Sequence, residues 1–301
     1  MTLISTLQYV LFFALALTAI GCSAGPSTGP PEWTQFRGDP RHTGIQGVAR
    51  PIDRPVSVWS FDTGGVVEST PTVVGDTVYV GTFANHLFAL DARTGAERWR
   101  FPVGGLLRAS PSLRDGTVYF GADDDRFYAV DAETGAERWS FALGPGGEQS
   151  SPAIVDGRVV FGAFDQNVYA LDALTGEEHW RYPTGGGMLS SPAVADGLVL
   201  IGSMDRRLHA IDLGTGEARW TYETDAAIFS SPAVDDGLAV IGSDDHAVHA
   251  VRLSDGAVEW KTTLGDRVFS SPAIMQGIAY VGSYDGNLYA MRVTDGTIVW
   301  H

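Results

Sequence analysis

The 301-residue sequence has one cysteine and one lysine. A single Cys excludes an internal disulfide framework, a CxxC redox pair and a cysteine-based zinc site. Basic residues total 20 against 36 acidic ones, for a formal charge of −16. That balance excludes a protein that grips nucleic acid through a basic face. Lys261 is the sole lysine among those 20, and Asp outnumbers Glu, which gives an acidic surface suited to solubility. No GxSxG, phosphate loop or HExxH occurs. No apolar run reaches the length of a membrane-spanning helix.

The longest such run, Tyr9 to Gly21, has the length of a signal h-region and is followed by Cys22. Small residues before a Cys at this point resemble the lipobox of bacterial lipoproteins. The resemblance implies cleavage before Cys22 and its acylation, and Ser23 after it implies outer-membrane sorting where the host has one. The n-region carries no Lys or Arg, and an ordinary signal peptide with an incidental Cys is the alternative. Residues 1–21 are thus expected to be a signal peptide. Residues 22–55 form a Pro/Gly/Ser-rich tether and a lead-in segment around Trp33 to Phe36, expected to pack across one face of the downstream domain.

The remainder, 56–301, is one repeat. Trp59, Trp99, Trp139, Trp180, Trp220, Trp260 and Trp300 recur every 40 or 41 residues. Pro71, Pro111, Pro152, Pro192, Pro232 and Pro272 keep the same period, and so do Gly81, Gly121, Gly162, Gly202, Gly242 and Gly282. Within the third unit, short apolar runs at Pro152 to Val155, Arg158 to Gly162 and Val168 to Leu171, and a last one ending on Trp180, are separated by turn residues. Nothing follows a helical period. Four short strands per unit of about 40 residues predict an all-β propeller with six complete blades.

The string A-x-D-x-x-T-G-x-x-x-W, as in Ala89, Asp91, Thr94, Gly95 and Trp99, resembles the tryptophan-docking motif of pyrroloquinoline-quinone (PQQ)-like propellers. The resemblance implies that Trp99, Trp139, Trp180, Trp220, Trp260 and Trp300 lock blade to blade. Arg252 and Arg292 replace the motif's Asp in the last two copies, so looser junctions are expected there. Val56 to Phe61 reads as a spare fourth strand. Two closures fit it: six blades with that strand packed outside, or a seven- or eight-bladed ring lacking strands. Six blades with incomplete closure is the expectation.

Two branches of the resemblance differ in function. Quinoprotein dehydrogenases hold PQQ and calcium in the funnel, under a disulfide of adjacent cysteines and among long inter-blade insertions. Outer-membrane assembly lipoproteins of the BamB type keep the repeat without the cofactor. This chain has neither the cysteine pair nor the insertions. The expectation is therefore a non-catalytic, lipid-anchored envelope scaffold, a monomer within a complex, with no cofactor, no metal site and no catalytic residue. Its partners would be envelope proteins or extended peptide segments.

Asp124, Asp165, Asp205, Asp245 and Asp285 recur at one phase. Such repetition reads as a turn device rather than a site built once. Asp123 to Asp125 is dense enough to hold a cation weakly, and His209 and His249 replace a recurrent Tyr as packing substitutes. The position three before each proline varies on this constant frame: Glu68, Arg108, Gln149, Leu189, Phe229 and Phe269. These six are the candidate funnel for a partner, charged on one side and apolar on the other; burial between blades is the alternative.

Overall fold

A computed structural model describes residues 34–42, 56–147 and 150–301. The signal segment, Cys22, the tether and Gln149 lie outside the described residues. Among the described residues, 24 strands form six four-stranded antiparallel sheets, with no helix long and apolar enough to cross a membrane. Each sheet is one blade of a propeller, its strands paired in chain order. In blade 1 these are β1 (Thr72–Val74), β2 (Thr77–Thr82), β3 (His86–Asp91) and β4 (Glu97–Pro102). The fourth strand runs past its tryptophan: in blade 3 it spans Glu178–Pro183 rather than stopping at Trp180. The extension continues the pairing, with Asn167 opposite Pro183 and Val168 opposite Tyr182.

Residue choice explains the strand ends. The first hairpin of blade 3 turns at Asp156 and Gly157, whose φ angles are 48° and 73°. Two successive left-handed residues make the mirror-image turn that matches the twist of a two-residue hairpin, and Asp and Gly tolerate it. The middle strands are β-branched and aromatic and are buried on both faces by neighbouring blades. Phe127 of blade 2 stacks on Phe161 of blade 3 at 4.0 Å, inside a cluster that also holds Ile154, Val159 and Tyr169. Each apolar cluster of this kind spans two blades, so a blade is stabilised by its neighbours.

Trp99, Trp139, Trp180, Trp220 and Trp260 each lie against a turn glycine of the next blade. Trp139 lies against Gly176 of blade 3, which sits at φ +74°, and a Cβ there would come within 2.7 Å of the indole. Trp139 Nε1 donates to the carbonyl of Ala173 at 3.1 Å. The same bond recurs from Trp99 to Ala132, Trp180 to Leu213, Trp220 to Leu253 and Trp260 to Val293. The last two measure 2.8 and 2.7 Å, so the junctions onto blades 5 and 6 are not loosened by the loss of the motif's Asp. In blade 5 a reversed ion pair stands in for the lost one. Where Asp91 takes Arg98 seven residues on, Arg252 takes Glu259 at 3.0 Å and Asp255 at 3.1 Å, and the turn keeps its glycine.

The spare segment, 56–61, joins none of the six sheets, but its tryptophan docks as the others do. Trp59 lies on Gly95 of blade 1, and its Nε1 donates to the Ala92 carbonyl at 2.9 Å. Trp300, by contrast, lies on no glycine of a following blade and is 42% exposed.

A serine ladder, unread in the sequence, ties the inner strands. Thr70 N donates to Ser110 Oγ, Ser110 N to Ser151, Ser151 N to Ser191, Ser191 N to Ser231, and Ser231 N to Ser271, all within 3.0 Å. The serine one residue earlier holds its own blade: Ser150 Oγ accepts from Gly162 N at 3.1 Å. The repeated Ser-Ser-Pro is its sequence signal.

Candidate funnel site

The inner strands succeed one another around the axis, so residues just before each repeat proline come close to their counterparts 40 positions away. On one side Arg108 Nη1 meets Glu68 Oε2 at 3.1 Å, and its Nε meets Asp123 Oδ2 at 3.1 Å. Its guanidinium also lies 4.6 Å from the Phe83 ring centroid. On the other side Phe229 and Phe269 stack at 5.0 Å with 24° between planes. Tyr284 packs edge-on against Phe269, and Arg267 lies 5.0 Å from the Tyr284 centroid. Leu189 is half-buried on the same approach in blade 4.

The candidate residues therefore meet as two pairs of opposite character. Phe269 is 42% exposed and Phe229 half-buried, so neither is a plug sealed between blades. Phe83 and Tyr284, which were no candidates in the sequence, and Asp123, which was read only as part of a weak cation patch, join them. They belong to a second variable column, one residue before the recurrent Asp: Phe83, Asp123, Phe164, Met204, Asp244 and Tyr284.

The recurrent Asp itself is a latch. Asp165 Oδ1 accepts from Asn167 N at 3.1 Å in its own turn, while Oδ2 accepts from Gly144 N at 2.8 Å and Tyr169 Oη at 2.6 Å. It thus pins the second hairpin to the linker that enters the blade. Burial, and then this bond to a carboxylate, push the Tyr169 phenol well above its ordinary range.

Blades 4 and 5 build the latch differently. His209 Nε2 faces Asp205 at 3.1 Å and its Nδ1 faces Tyr182 Oη at 3.2 Å; His249 repeats this with Asp245 and Tyr222. Burial raises the Asp205 carboxyl, but the bonds from His209 and Gly185 N outweigh it and hold the group at about 2. His209 and His249 are thus hydrogen-bonded, and more than packing substitutes.

The opposite end of the inner strands is covered by the lead-in. Leu113 N donates to Thr34 O, Ile154 N to Gln35 Oε1, Val194 N to Pro40 O and Val234 N to Arg41 O. His42 Nδ1 lies 3.2 Å from the Pro232 carbonyl. Burial, then the adjacent Arg37 charge, lower His42 to about 3, so it is neutral at physiological pH. These amides lie five residues beyond the mouth position, roughly 16 Å along an extended strand. The lead-in thus crosses the channel-lining edges of blades 2 to 5, far from the two pairs.

The donor set does not suit a resident divalent cation of the calcium type, which takes six to eight oxygens. Among the described residues no group of three or more His, Cys, Asp or Glu is placed to hold a metal. Arg108 engages Glu68 Oε2 and Asp123 Oδ2, while Asp123 Oδ1 is buried without a partner.

A family model described as the β-propeller of beta-alanine-activating enzyme matches residues 51–278. No curated protein matches the chain in sequence. Among solved structures, BamB from Moraxella catarrhalis is similar at 22% identity and a TM-score of 0.71, over 80% of this chain and 78% of that one. The computationally designed Ika8 protein gives 18% identity and 0.69, over 78% and 73%. A europium-containing methanol dehydrogenase gives 14% and 0.69, over 91% and 85%. At these identities the structural likeness is one of fold.

Proposed function

Since the chain belongs to the β-propeller family of the beta-alanine-activating enzyme, a frame and not a chemistry, we propose that it is a non-catalytic scaffold of the cell envelope. Its funnel mouth seats an extended segment of a partner protein. The observation that carries this reading is the part-exposed Phe229–Phe269 stack, flanked by Tyr284 and set apart from the Arg108 ion pairs. Stacked aromatics on a rigid frame supply contact area with little side-chain entropy to lose, the usual makeup of an interface anchor. The lead-in on the far edges leaves the mouth as the side of approach. The fold likeness to BamB supports envelope assembly as the nearest role, with anchoring through Cys22 at the periplasmic face of an outer membrane where the host has one.

The alternative, a quinoprotein dehydrogenase, finds no fitting calcium donors in the described residues. The test is the Phe229→Ala/Phe269→Ala double variant. Partner capture should fall at least about tenfold, or about 1.4 kcal/mol, while the ring still unfolds at an unchanged temperature. Normal capture by that variant, or stoichiometric PQQ and calcium binding with dye reduction by the wild type, would overturn the proposal.

A further inference from the structure

The two sides of the mouth hold their carboxylates differently. Arg108 meets both Glu68 and Asp123 at 3.1 Å, so opposite charges close on each other there. Beside the aromatic stack the pairing is looser. Asp244 Oδ2 lies 3.7 Å from Arg267 Nη1, and that guanidinium is turned towards the Tyr284 ring at 5.0 Å. Asp266 Oδ1 lies 3.9 Å from His246 Nε2, which is a cation only when protonated. Both acids border the stack. Asp266 stands three residues before Phe269, and Asp244 N donates to the carbonyl of Ala227, two residues before Phe229. Asp244 Oδ1 is buried without a hydrogen-bond partner. A carboxylate oxygen in that state carries a desolvation cost that neither water nor a donor offsets.

The apolar surface beside these acids extends through the middle blades. Phe164, Leu189, Met204 and Phe229, in blades 3 to 5, are all half-buried on the two variable columns. An occupant thus meets apolar side chains and, at their end, negative charge held by long contacts only. Docking excludes water, which strengthens the field of those charges. We propose that the segment seated at the aromatic side of the mouth carries basic residues next to large apolar ones. The apolar groups lie on Phe229 and Phe269, and a Lys or Arg stands against Asp244 and Asp266. This deepens, and rests on, the reading of the mouth as a partner seat. Acidic flanks would be repelled there, and neutral ones would leave the two acids uncompensated in a drier interface.

Three capped, dye-labelled peptides test this on the full chain by fluorescence anisotropy. Each has Phe-Ser-Phe at its centre, flanked on both sides by Lys pairs, Ser pairs or Glu pairs. The Lys peptide should bind at least about tenfold more tightly than the Ser peptide, and the Glu peptide most weakly. Asp244→Asn/Asp266→Asn should cut the Lys preference to below about threefold. Asp115→Asn/Asp156→Asn, on exposed turns at the lead-in end of the inner strands, should leave it intact. Asp266→Lys, at a half-exposed position, should by itself turn the preference towards the Glu peptide, with the part-buried Asp244 untouched. Equal binding of the Lys and Ser peptides, both weakened by Phe229→Ala/Phe269→Ala, would overturn the charge preference and leave the partner seat standing. A preference lost equally on neutralising Asp115 and Asp156 would assign it to the overall charge and overturn the inference. Binding indifferent to Phe229→Ala/Phe269→Ala, or no binding of any peptide, would overturn the seat together with the preference.

Discussion

Blades 2 and 3 and blades 4 and 5 make the same junction with different chemistry. In the first pair the third strand carries Tyr128 or Tyr169, which gives its one hydroxyl to the latch Asp, and the neighbouring outer strand presents Phe101 or Phe141. In the second pair the third strand carries His209 or His249, which has two ring nitrogens to satisfy. The neighbouring outer strand then presents a tyrosine, Tyr182 or Tyr222. A buried polar atom without a partner costs about 1–3 kcal/mol, so each interface is matched in polarity across two blades. The same division appears at the mouth, where Arg108 is closed in ion pairs and Phe229 and Phe269 stand open. The frame is held constant by matched pairs, and side-chain character at the mouth is free to vary on it.

The largest effect should come from removing what both halves share. Trp180→Ala takes away a docked indole and its bond to Leu213, and should cost about 3–5 kcal/mol, as for other buried aromatics. Trp300→Ala, at a part-exposed indole, should cost less than about 1 kcal/mol in the chain alone. Denaturant unfolding of the two variants checks the contrast.

The two sides of the mouth should separate next. Phe229→Ala/Phe269→Ala should abolish most partner capture, whereas Arg108→Ala should lower stability by no more than about 1 kcal/mol, in keeping with half-exposed ion pairs. It should change capture mainly through its salt dependence.

Smaller still is the matched polarity. Tyr182→Phe strands the Nδ1 of buried His209 and should cost about 1–2 kcal/mol. The same variant combined with His209→Tyr recreates the blade 3 pairing and should recover most of the loss. A double-mutant cycle measures the coupling.

The least effect is in acid. The folded Asp205 carboxyl, at about 2, lies below its unfolded value of about 3.9. It therefore adds stability that is complete above about pH 4 and lost as pH falls towards about 2. Asp205→Asn should flatten that part of the pH–stability curve. An unchanged slope would show that the folded Asp205 carboxyl is not held below its unfolded value.

Blade number, strand order and docking tryptophans were legible because each side chain recurs in a fixed phase, and the physical demand repeats with it. The variable column at Glu68, Arg108, Phe229 and Phe269 was legible for the opposite reason: it departs from a constant frame. What escaped the sequence needs two blades at once. Ser151 looks like an ordinary turn residue until Ser110 is placed beside it. Arg252 looks like a broken motif until Glu259 is seen to carry the exchanged charge. His209 looks like a packing substitute until Tyr182, from the preceding blade, reaches its second nitrogen. Asp123 and Tyr284 joined the mouth only once the hairpin carrying them was folded over it.

Partner binding at the aromatic side of the mouth is probed without intermediaries by a photo-cross-linking residue at position 269. The control is the same residue at Leu174, which is 80% exposed on an outer turn. Position 269 should give a discrete adduct with an envelope protein, lost on adding Phe229→Ala, and position 174 should give none. Equal adducts from both positions, or none from 269, would place partner binding elsewhere.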